Sequence, residues 1–266
     1  MGIQHSREEK LAAFGRLLDV MDRLRSECPW DREQTTESLR TNTIEEVYEL
    51  SDAILSGAPE EIKKELGDVL LHVVFYSKIG EEQGSFDVAD VANALCDKLI
   101  FRHPHVYDET EASTSEAVIE RWEELKQKEK NGNKTVLSGV PSSLPALIKA
   151  YRIQDKARGV GFDWQHPEDV WSKVEEELSE LRGAIPSGSV EDTEAEFGDF
   201  LFSIINVARK YKVNPDNALE RTNTKFIRRF GYIEARAKEE GRTLKELSLE
   251  EMDALWDEAK KLEAKP

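Results

Sequence analysis

The chain has 266 residues, of which 39% are hydrophobic and 34% are charged, a composition typical of globular proteins that bury a core. Its formal net charge of −17 argues against binding to long nucleic acid, because proteins that follow a phosphate backbone rely on clustered lysine and arginine. No apolar run is long enough to cross a bilayer, and Cys28 and Cys96 are too few for a disulfide framework. We therefore expect a soluble, cytoplasmic protein without membrane contact.

Helical periodicity dominates the chain and alternating strand patterns are scarce, which predicts an all-α protein. In chain order, the predicted helices cover residues 7–27, 36–56, 59–83, 86–103, 113–131, 143–158, 167–185, 191–211, 214–240 and 248–264. The segment from Asn131 to Pro145 is rich in Gly, Ser and Pro, as linkers between domains are. These features predict a helical domain over residues 1–131, a linker over 132–145 and a second helical domain over 146–266.

The second and third predicted helices carry acids among apolar residues that have the pattern of a helix core. A tight turn is predicted at Gly57, and Glu49 and Glu65 lie eight residues to either side of it. Glu46 and Asp68 lie eleven residues to either side, about one helical turn farther from the loop. Residues three apart share a helix face, so the four carboxylates are expected to converge across the hairpin.

This acidic hairpin occurs twice. A shift of 131 residues places Glu45–Leu70 on Glu176–Leu201 without a gap, and 13 of the 26 aligned residues are identical. The identities preserve the acids and glycines where many apolar neighbours differ: the second set is Glu176, Glu177, Glu180, Gly188, Glu196, Gly198 and Asp199. The two helical domains are therefore predicted to come from an internal duplication.

Four carboxylates within a few ångströms of one another repel strongly, and a bound cation is the simplest compensation. Oxygen ligands favour a hard divalent ion, which indicates Mg²⁺, with Mn²⁺ as an alternative. Gly67 and Gly198 are expected to allow close helix approach or ligand access beside the acids. Any single acid here is typical of a solvated helix face, and the Glu–Lys pairs of residues 60–65 require no function. The recurrence of the whole set favours a site.

Basic residues follow each hairpin. Lys98 and Arg102 in the first half, and Lys225 and Arg229 in the second, are four residues apart and share a helix face. Arginine can hold phosphate oxygens through two hydrogen bonds, and lysine supplies a compact charge.

Tryptophans occur near the end of each half. Trp122 precedes Lys126, and Trp256 precedes Lys260, by four residues. Either ring could pack on a nucleobase, although tryptophan is more often a core residue. Trp30 and Trp164 are expected to be packing residues, and His72 is expected to be a core histidine with satisfied hydrogen bonds.

The sequences "EEVYE…ELGD" and "EELSE…EFGD" both match the pattern E-E-x-x-E followed, after a spacer, by E-x-x-D. Together with "CPWD", "VVFY" and "RHPHV" of the first half, they resemble the MazG nucleoside triphosphate pyrophosphohydrolases over about Leu11 to Leu262. The resemblance implies tandem MazG-like helical bundles and a homodimer. It also implies Mg²⁺-dependent hydrolysis of NTPs and dNTPs at the α–β phosphate bond, giving a nucleoside monophosphate and pyrophosphate.

The resemblance also implies roles for individual residues. The implied metal ligands are Glu46, Glu49, Glu65 and Asp68 in the first half, and Glu177, Glu180, Glu196 and Asp199 in the second. The resemblance implies substrate contacts at Arg102, Lys126, Lys225, Arg229 and Trp256. Further candidates for substrate binding are Lys98, Trp122, Lys173 and Lys260. Glu45 and Glu176, which lie outside the level pairs, are candidates to orient or deprotonate the attacking water. Both halves retain all four acids, so neither is disqualified.

Two alternatives remain open from the sequence. The first is a narrower pyrophosphohydrolase acting on dUTP or a phosphoribosyl nucleotide, which a duplicated chain makes less favoured. The second is a helical regulatory protein that binds nucleotide or metal without turnover, with its negative charge serving basic protein partners.

Overall fold

The computed structural model describes residues 5–107 and 135–263, which fall into two compact helical units. The first unit contains α1 (Arg7–Glu27), α2 (Pro29–Glu33), α3 (Thr36–Ser56), α4 (Pro59–Glu82), α5 (Val88–Arg102) and α6 (Pro104–Tyr107). The second contains α7 (Ala146–Arg158), α8 (Asp169–Ala184), α9 (Val190–Lys210), α10 (Pro215–Glu239) and α11 (Leu249–Glu263). No strand occurs in these two ranges, which confirms the all-α prediction.

Most predicted helices agree with the structure to within a few residues. The short helices α2 and α6 were not predicted, because each has five residues or fewer and no room for a helical period. The predicted helix at 113–131 lies outside the described residues, as do Trp122 and Lys126. The domain limits at residues 131 and 146 stay a prediction.

Both hairpins turn at the glycine predicted from the sequence. Gly57 ends α3 with φ 69° and ψ 22°, a left-handed conformation that costs glycine little because it has no side chain. Pro59 then begins α4, where its missing N–H would have no helical partner. In the second unit, Gly188 has φ 74° and follows a short 3-10 turn. Ser189 caps α9 by accepting a hydrogen bond from the backbone N–H of Asp192.

The core of the first unit lies where α1 and α3 pack on α4. Its buried apolar residues are Met21, Leu39, Val74, Phe75 and Ile79. These side chains come from the inward faces of the three helices, so the hairpin is anchored by one stripe of each of its helices.

Thr43 organises a polar group beside that core. Its hydroxyl donates to the carbonyl oxygen of Leu39 and lies 2.9 Å from Nδ1 of His72 and 2.6 Å from the hydroxyl oxygen of Tyr76. Burial lowers the pKa of His72, against the opposing charge of Asp68. His72 is therefore a core histidine with a hydrogen-bonded ring, as the sequence predicted.

The second unit is built on the same hairpin with a different interior. Val170, Val174 and Val207 form one buried cluster, and Ile233, Ala237 and Leu247 form another between α10 and α11. Under the 131-residue shift, Thr43, His72 and Tyr76 correspond to Val174, Ser203 and Val207. The duplicated units have therefore kept the acids of the hairpin, while the hydrogen-bonded group of Thr43, His72 and Tyr76 is not retained in the second unit.

The apolar neighbours of the acids are not core residues within a single chain. Val47 and Leu66 are 51% and 52% exposed in the first hairpin, and Phe197 and Leu201 are 48% and 55% exposed in the second. The prediction that they form a helix core is wrong for the isolated chain, because each hairpin turns only one stripe of each helix inward. In the described part of the chain, none of the helices is both long enough and apolar enough to cross a membrane.

Candidate functional site

The first acidic cluster is formed across the α3–α4 hairpin. Glu46, Glu49 and Glu65 each offer a carboxylate oxygen, and these atoms all lie within 4.8 Å of one another. Helix α3 supplies Glu46 and Glu49, which are three residues apart, and α4 supplies Glu65. The level arrangement predicted around the turn thus brings three of the four acids into one group.

Asp68 acts on the same group through its charge. Loss of hydration raises the pKa of Glu46, and the charges of Asp68, Glu49 and Glu65 raise it further, with a smaller effect from Glu45. Of the neighbouring charges, Asp68 has the largest effect, as expected for the residue opposite Glu46 in the hairpin. The fourth acid therefore belongs electrostatically to the cluster.

The second cluster lies at the corresponding place in the α8–α9 hairpin. Glu177, Glu196 and Asp199 have carboxylate oxygens within 4.8 Å of one another. Glu180 is more exposed, but loss of hydration and the charges of Glu177, Glu196 and Glu176 raise its pKa, outweighing the opposing charge of Lys173. Both hairpins thus bring the corresponding four acids together. The acid outside the closest group of three is Asp68 in the first hairpin and Glu180 in the second.

Each cluster contains one buried carboxylate. In the first it is Glu65, 5% exposed, whose Oε1 lies 2.8 Å from Nζ of Lys64. In the second it is Glu177, 6% exposed, whose Oε1 lies 2.6 Å from Nζ of Lys173. Lys173 also contacts Oε1 of Glu176 at 2.9 Å. In each hairpin, one lysine ammonium group therefore neutralises part of the negative charge of the cluster.

The other oxygen of each buried carboxylate is unsatisfied. Oε2 of Glu65 and Oε2 of Glu177 are buried and have no hydrogen-bond partner among the described residues. A buried charged oxygen without a partner is strongly unfavourable, so these atoms need a cation or donor that the described residues do not supply. An all-carboxylate donor set of this kind fits a hard divalent ion such as Mg²⁺.

The glycines beside the acids leave open space. A methyl group added at Gly67 or Gly198 would meet no other atom within 4 Å, so neither glycine serves close helix approach. The remaining prediction, ligand access beside the acids, is compatible with this space.

Lys98 and Arg102 lie on α5, one turn apart, as predicted. Lys98 is exposed and Arg102, at the end of the helix, is partly buried. Within the described ranges, no ion pair joins Lys98 to the acidic cluster.

In the second unit, Arg229 and Trp256 meet between α10 and α11. The Arg229 guanidinium lies 5.4 Å from the centroid of the Trp256 ring, and its Nη2 lies 2.7 Å from Oε2 of Glu263. Lys225 is exposed, and exposed Lys260 pairs with Asp257 at 2.9 Å. The structure therefore brings Arg229 and Trp256 together, and gives Arg229 a carboxylate partner that the sequence did not predict.

Two tryptophans expected to be packing residues are not buried. Trp30 is 58% exposed and Trp164 is 40% exposed, so that prediction is wrong. Trp30 lies next to Asp31 in the short helix α2, and Trp164 lies next to Asp163 in the connection after α7. Sequence reasoning also missed Lys64, whose run of alternating charges indicated only a solvated helix face.

Comparison with known proteins gives a consistent result. The family described as the MazG nucleotide pyrophosphohydrolase domain matches residues 34–107 and 165–232, and each match contains one acidic hairpin. Over 250 residues the chain is 44% identical to the nucleoside triphosphate pyrophosphohydrolase/pyrophosphatase MazG of Thermotoga maritima, covering 93% of this chain and 95% of that protein.

Two further relatives are similar over comparable lengths. A nucleoside triphosphate pyrophosphohydrolase of Escherichia coli is 39% identical over 255 residues, covering 93% of this chain and 97% of that protein. The uncharacterized protein YabN of Bacillus subtilis is 45% identical over 263 residues, which are 97% of this chain and 54% of YabN. With two matched domains and these relatives, the chain belongs to the MazG nucleotide pyrophosphohydrolase family.

Proposed function

We propose that this protein is a Mg²⁺-dependent nucleoside triphosphate pyrophosphohydrolase that cleaves NTPs and dNTPs between the α and β phosphates. The observation that carries the proposal is the pair of carboxylate clusters, each with a buried, unsatisfied glutamate oxygen, within the two segments that match the family. The names of the Thermotoga maritima and Escherichia coli relatives support the same reaction.

The metal would be held by the acids of each hairpin: Glu46, Glu49, Glu65 and Asp68 in the first, and Glu177, Glu180, Glu196 and Asp199 in the second. When bound, Mg²⁺ would neutralise triphosphate charge and lower the pKa of a nearby water. The chain's own contribution is to hold these carboxylates close together on one hairpin before substrate arrives.

Cations of the chain would bind the remaining phosphate charge. In the second unit we assign this to Lys225 and Arg229, with Lys260 nearby on α11 and Trp256 as a nucleotide contact. Arg229 must exchange Glu263 for phosphate, which its two parallel hydrogen-bond donors allow. In the first unit Lys98 and Arg102 are the candidates, with Trp122 and Lys126.

Lys173 is placed to serve both states of the second site. It neutralises Glu177 and Glu176 in the structure described, and it would contact a phosphate oxygen once a metal takes over the Glu177 charge. Of the two candidates for orienting water, exposed Glu176 is held by Lys173, whereas Glu45 is exposed and makes no ion pair in the described residues. A fixed carboxylate is the better positioned group, which favours Glu176.

We also propose that the protein is a homodimer. Each hairpin presents large apolar side chains to solvent beside its acids, among them Val47, Leu66, Phe197 and Leu201. Large apolar side chains exposed close together on one hairpin are typical of a protein interface. The free cysteines, Cys28 and Cys96, agree with a reducing compartment, so we place the activity in the cytoplasm.

Pyrophosphate release from the eight common NTPs and dNTPs with Mg²⁺ tests the reaction. We expect release by the wild-type protein and its loss in the double variant Glu49→Gln/Glu180→Gln. Glu61→Gln/Glu194→Gln is the matched control, because both of these glutamates are exposed on the same hairpins, outside the clusters. Release of orthophosphate by the pure wild-type protein, or no release from any nucleotide, would refute the proposal.

The two single variants, Glu49→Gln and Glu180→Gln, assign the activity to one half or to both. Adding dUTP and a phosphoribosyl nucleotide to the panel decides between a broad enzyme and one restricted to either of these two substrates.

A further inference from the structure

The second unit contains a cavity of about 390 Å³, within the range of about 300–1,000 Å³ usual for small-molecule sites. Its walls are mainly apolar: Phe162 and Trp164 come from the connection after α7, and Phe202 comes from α9. Gln154 of α7 and Asn206 of α9 are polar groups in this lining. The function proposed above does not use these residues.

The cavity and the acids lie along one face of α9. Asp199, Phe202 and Asn206 are spaced by three and four residues, which places them in one stripe of a helix. Asn206 lies seven residues from Asp199, or about 10 Å along the helix axis. The sugar and base of a nucleotide can span that separation while its phosphates remain at the carboxylate cluster.

Gln154 contributes a fixed hydrogen-bond acceptor. Its Nε2 donates to the backbone carbonyl oxygen of Phe202 at 2.8 Å. A carbonyl oxygen can only accept, so the amide nitrogen must face it and the orientation of the side chain is settled. Oε1 of Gln154 is then left buried without a hydrogen-bond partner in the described part of the chain, and the side chain itself is 6% exposed.

Asn206 contributes fixed donors. Its Oδ1 accepts hydrogen bonds from Nε and Nη2 of Arg209 at 3.1 and 2.7 Å. Arg209 is buried and is held in turn by Asp163, whose Oδ1 lies 2.5 Å from Nη2. With Oδ1 engaged, Nδ2 of Asn206 keeps two N–H groups for which the described residues supply no acceptor.

We propose that this cavity binds the nucleobase of the triphosphate substrate, with Asn206 donating to a ring or carbonyl acceptor and Gln154 accepting from an N–H of the base. The inference rests on the proposed function, because it places the phosphates at the Glu177 cluster. All common bases carry an adjacent donor and acceptor on the edge used in pairing, so the two amides suit a broad nucleotide enzyme.

The first unit lacks this arrangement. Under the 131-residue shift, Asn206 corresponds to Phe75, which is 3% exposed and fills the core, and Gln154 corresponds to Arg23. The second unit therefore binds the base. The first unit has an acidic cluster but no side-chain amides equivalent to Gln154 and Asn206.

Steady-state hydrolysis by the full chain tests the assignment, with dATP and with methyl triphosphate, which has the phosphates but no base. Asn206→Asp keeps an oxygen for Arg209 and removes the two donors. We expect it to raise KM for dATP about tenfold, the loss of one good hydrogen bond, and to leave methyl triphosphate hydrolysis unchanged. Asn217→Asp, an exposed change on α10, is the matched control.

Gln154→Met preserves side-chain length and removes the acceptor, and the same selective loss is expected. If wild-type protein hydrolyses dATP but both variants keep its KM, or lose dATP and methyl triphosphate hydrolysis equally, the base site is wrong and the proposed function stands. If wild-type protein releases no pyrophosphate from dATP, the proposed function itself fails. Unfolding midpoints near that of wild type confirm that a selective loss is not a loss of fold.

Discussion

The ammonium group of Lys173 lies 2.6 Å from the buried carboxylate of Glu177, and the residue at the equivalent place in the first half is Asn42. Burial of Glu177 is therefore balanced by a lysine one helical turn earlier on the same helix, a solution that the first half cannot use.

The first half reaches the same balance with other residues. It buries Glu65, on the second helix of the hairpin, and pairs it with the adjacent Lys64 at 2.8 Å. Ala195 stands at the place of Lys64 in the second half. The two units thus share the acids but not the lysines that pair with them. The stability of each metal-free unit should therefore respond differently to substitution of its lysine.

Lys173→Met should destabilise the metal-free protein, because it leaves Glu177 buried without a cation. The loss should be smaller than for a fully buried pair, since Lys173 is partly exposed. Saturating Mg²⁺ should remove most of the loss by supplying the missing charge. Urea unfolding with and without Mg²⁺ measures both values, with Lys238→Met as the exposed control. An equal loss of unfolding free energy with and without Mg²⁺ would show that the metal does not replace the charge of Lys173.

Glu46→Gln should stabilise the metal-free protein at about pH 7.5, raising its unfolding midpoint by about 2–4 °C. The pKa of Glu46 is raised above its usual 4.5 by burial and by Asp68, so the folded state favours the protonated form and loses that advantage as pH rises through the folded pKa. The gain should therefore shrink as pH is lowered toward 4.5. Thermal melts in EDTA measure it, and a gain that grows on acidification would contradict the assignment.

Asp163→Asn should destabilise the second unit by about 3 kcal/mol near neutral pH, because it leaves the buried Arg209 without its anionic partner. Burial acts to raise the pKa of Asp163, but hydrogen bonds from Arg209 and Lys210 outweigh it and lower that pKa below 3.8. The stabilisation is thus present above pH 3.8 and lost as pH falls through the folded pKa.

Urea unfolding of Asp163→Asn as a function of pH checks this sign. The gap to wild type should be constant above about pH 5 and close in stronger acid. Asp253→Asn, exposed on α11, should show no gap. A difference in stability that widens on acidification would mean that Asp163 is not the anionic partner of Arg209.

Leu66→Lys should weaken the proposed homodimer, because it places a charge in the exposed apolar surface of the first hairpin. We expect a wild-type dimer in sedimentation velocity at micromolar concentration and a larger monomer fraction for the variant. Glu61→Lys, a change at an exposed residue five positions before Leu66 and so on another face of α4, should leave the dimer intact. A monomeric wild-type protein would contradict the proposal directly.

The sequence by itself determined the helices, the duplication and the placement of the acids. Local signals were sufficient for these features: the period of apolar residues, a glycine at each turn, and equal spacing of Glu49 and Glu65 about Gly57. Each depends on contacts within one hairpin, where distance along the chain translates directly into position on a helix.

Only the tertiary structure decided what surrounds those acids. Three features depend on residues far apart in the chain. They are the choice of the buried glutamate, the pairing of Arg229 with Glu263, and the hydrogen bond from Gln154 to Phe202 between two helices. The same holds for the apolar neighbours of the acids, whose exposure follows from which stripe of each helix packs inward. Spacing along a helix fixes the face that a side chain occupies, but the partner of that face is set by how helices pack, and no local pattern encodes it.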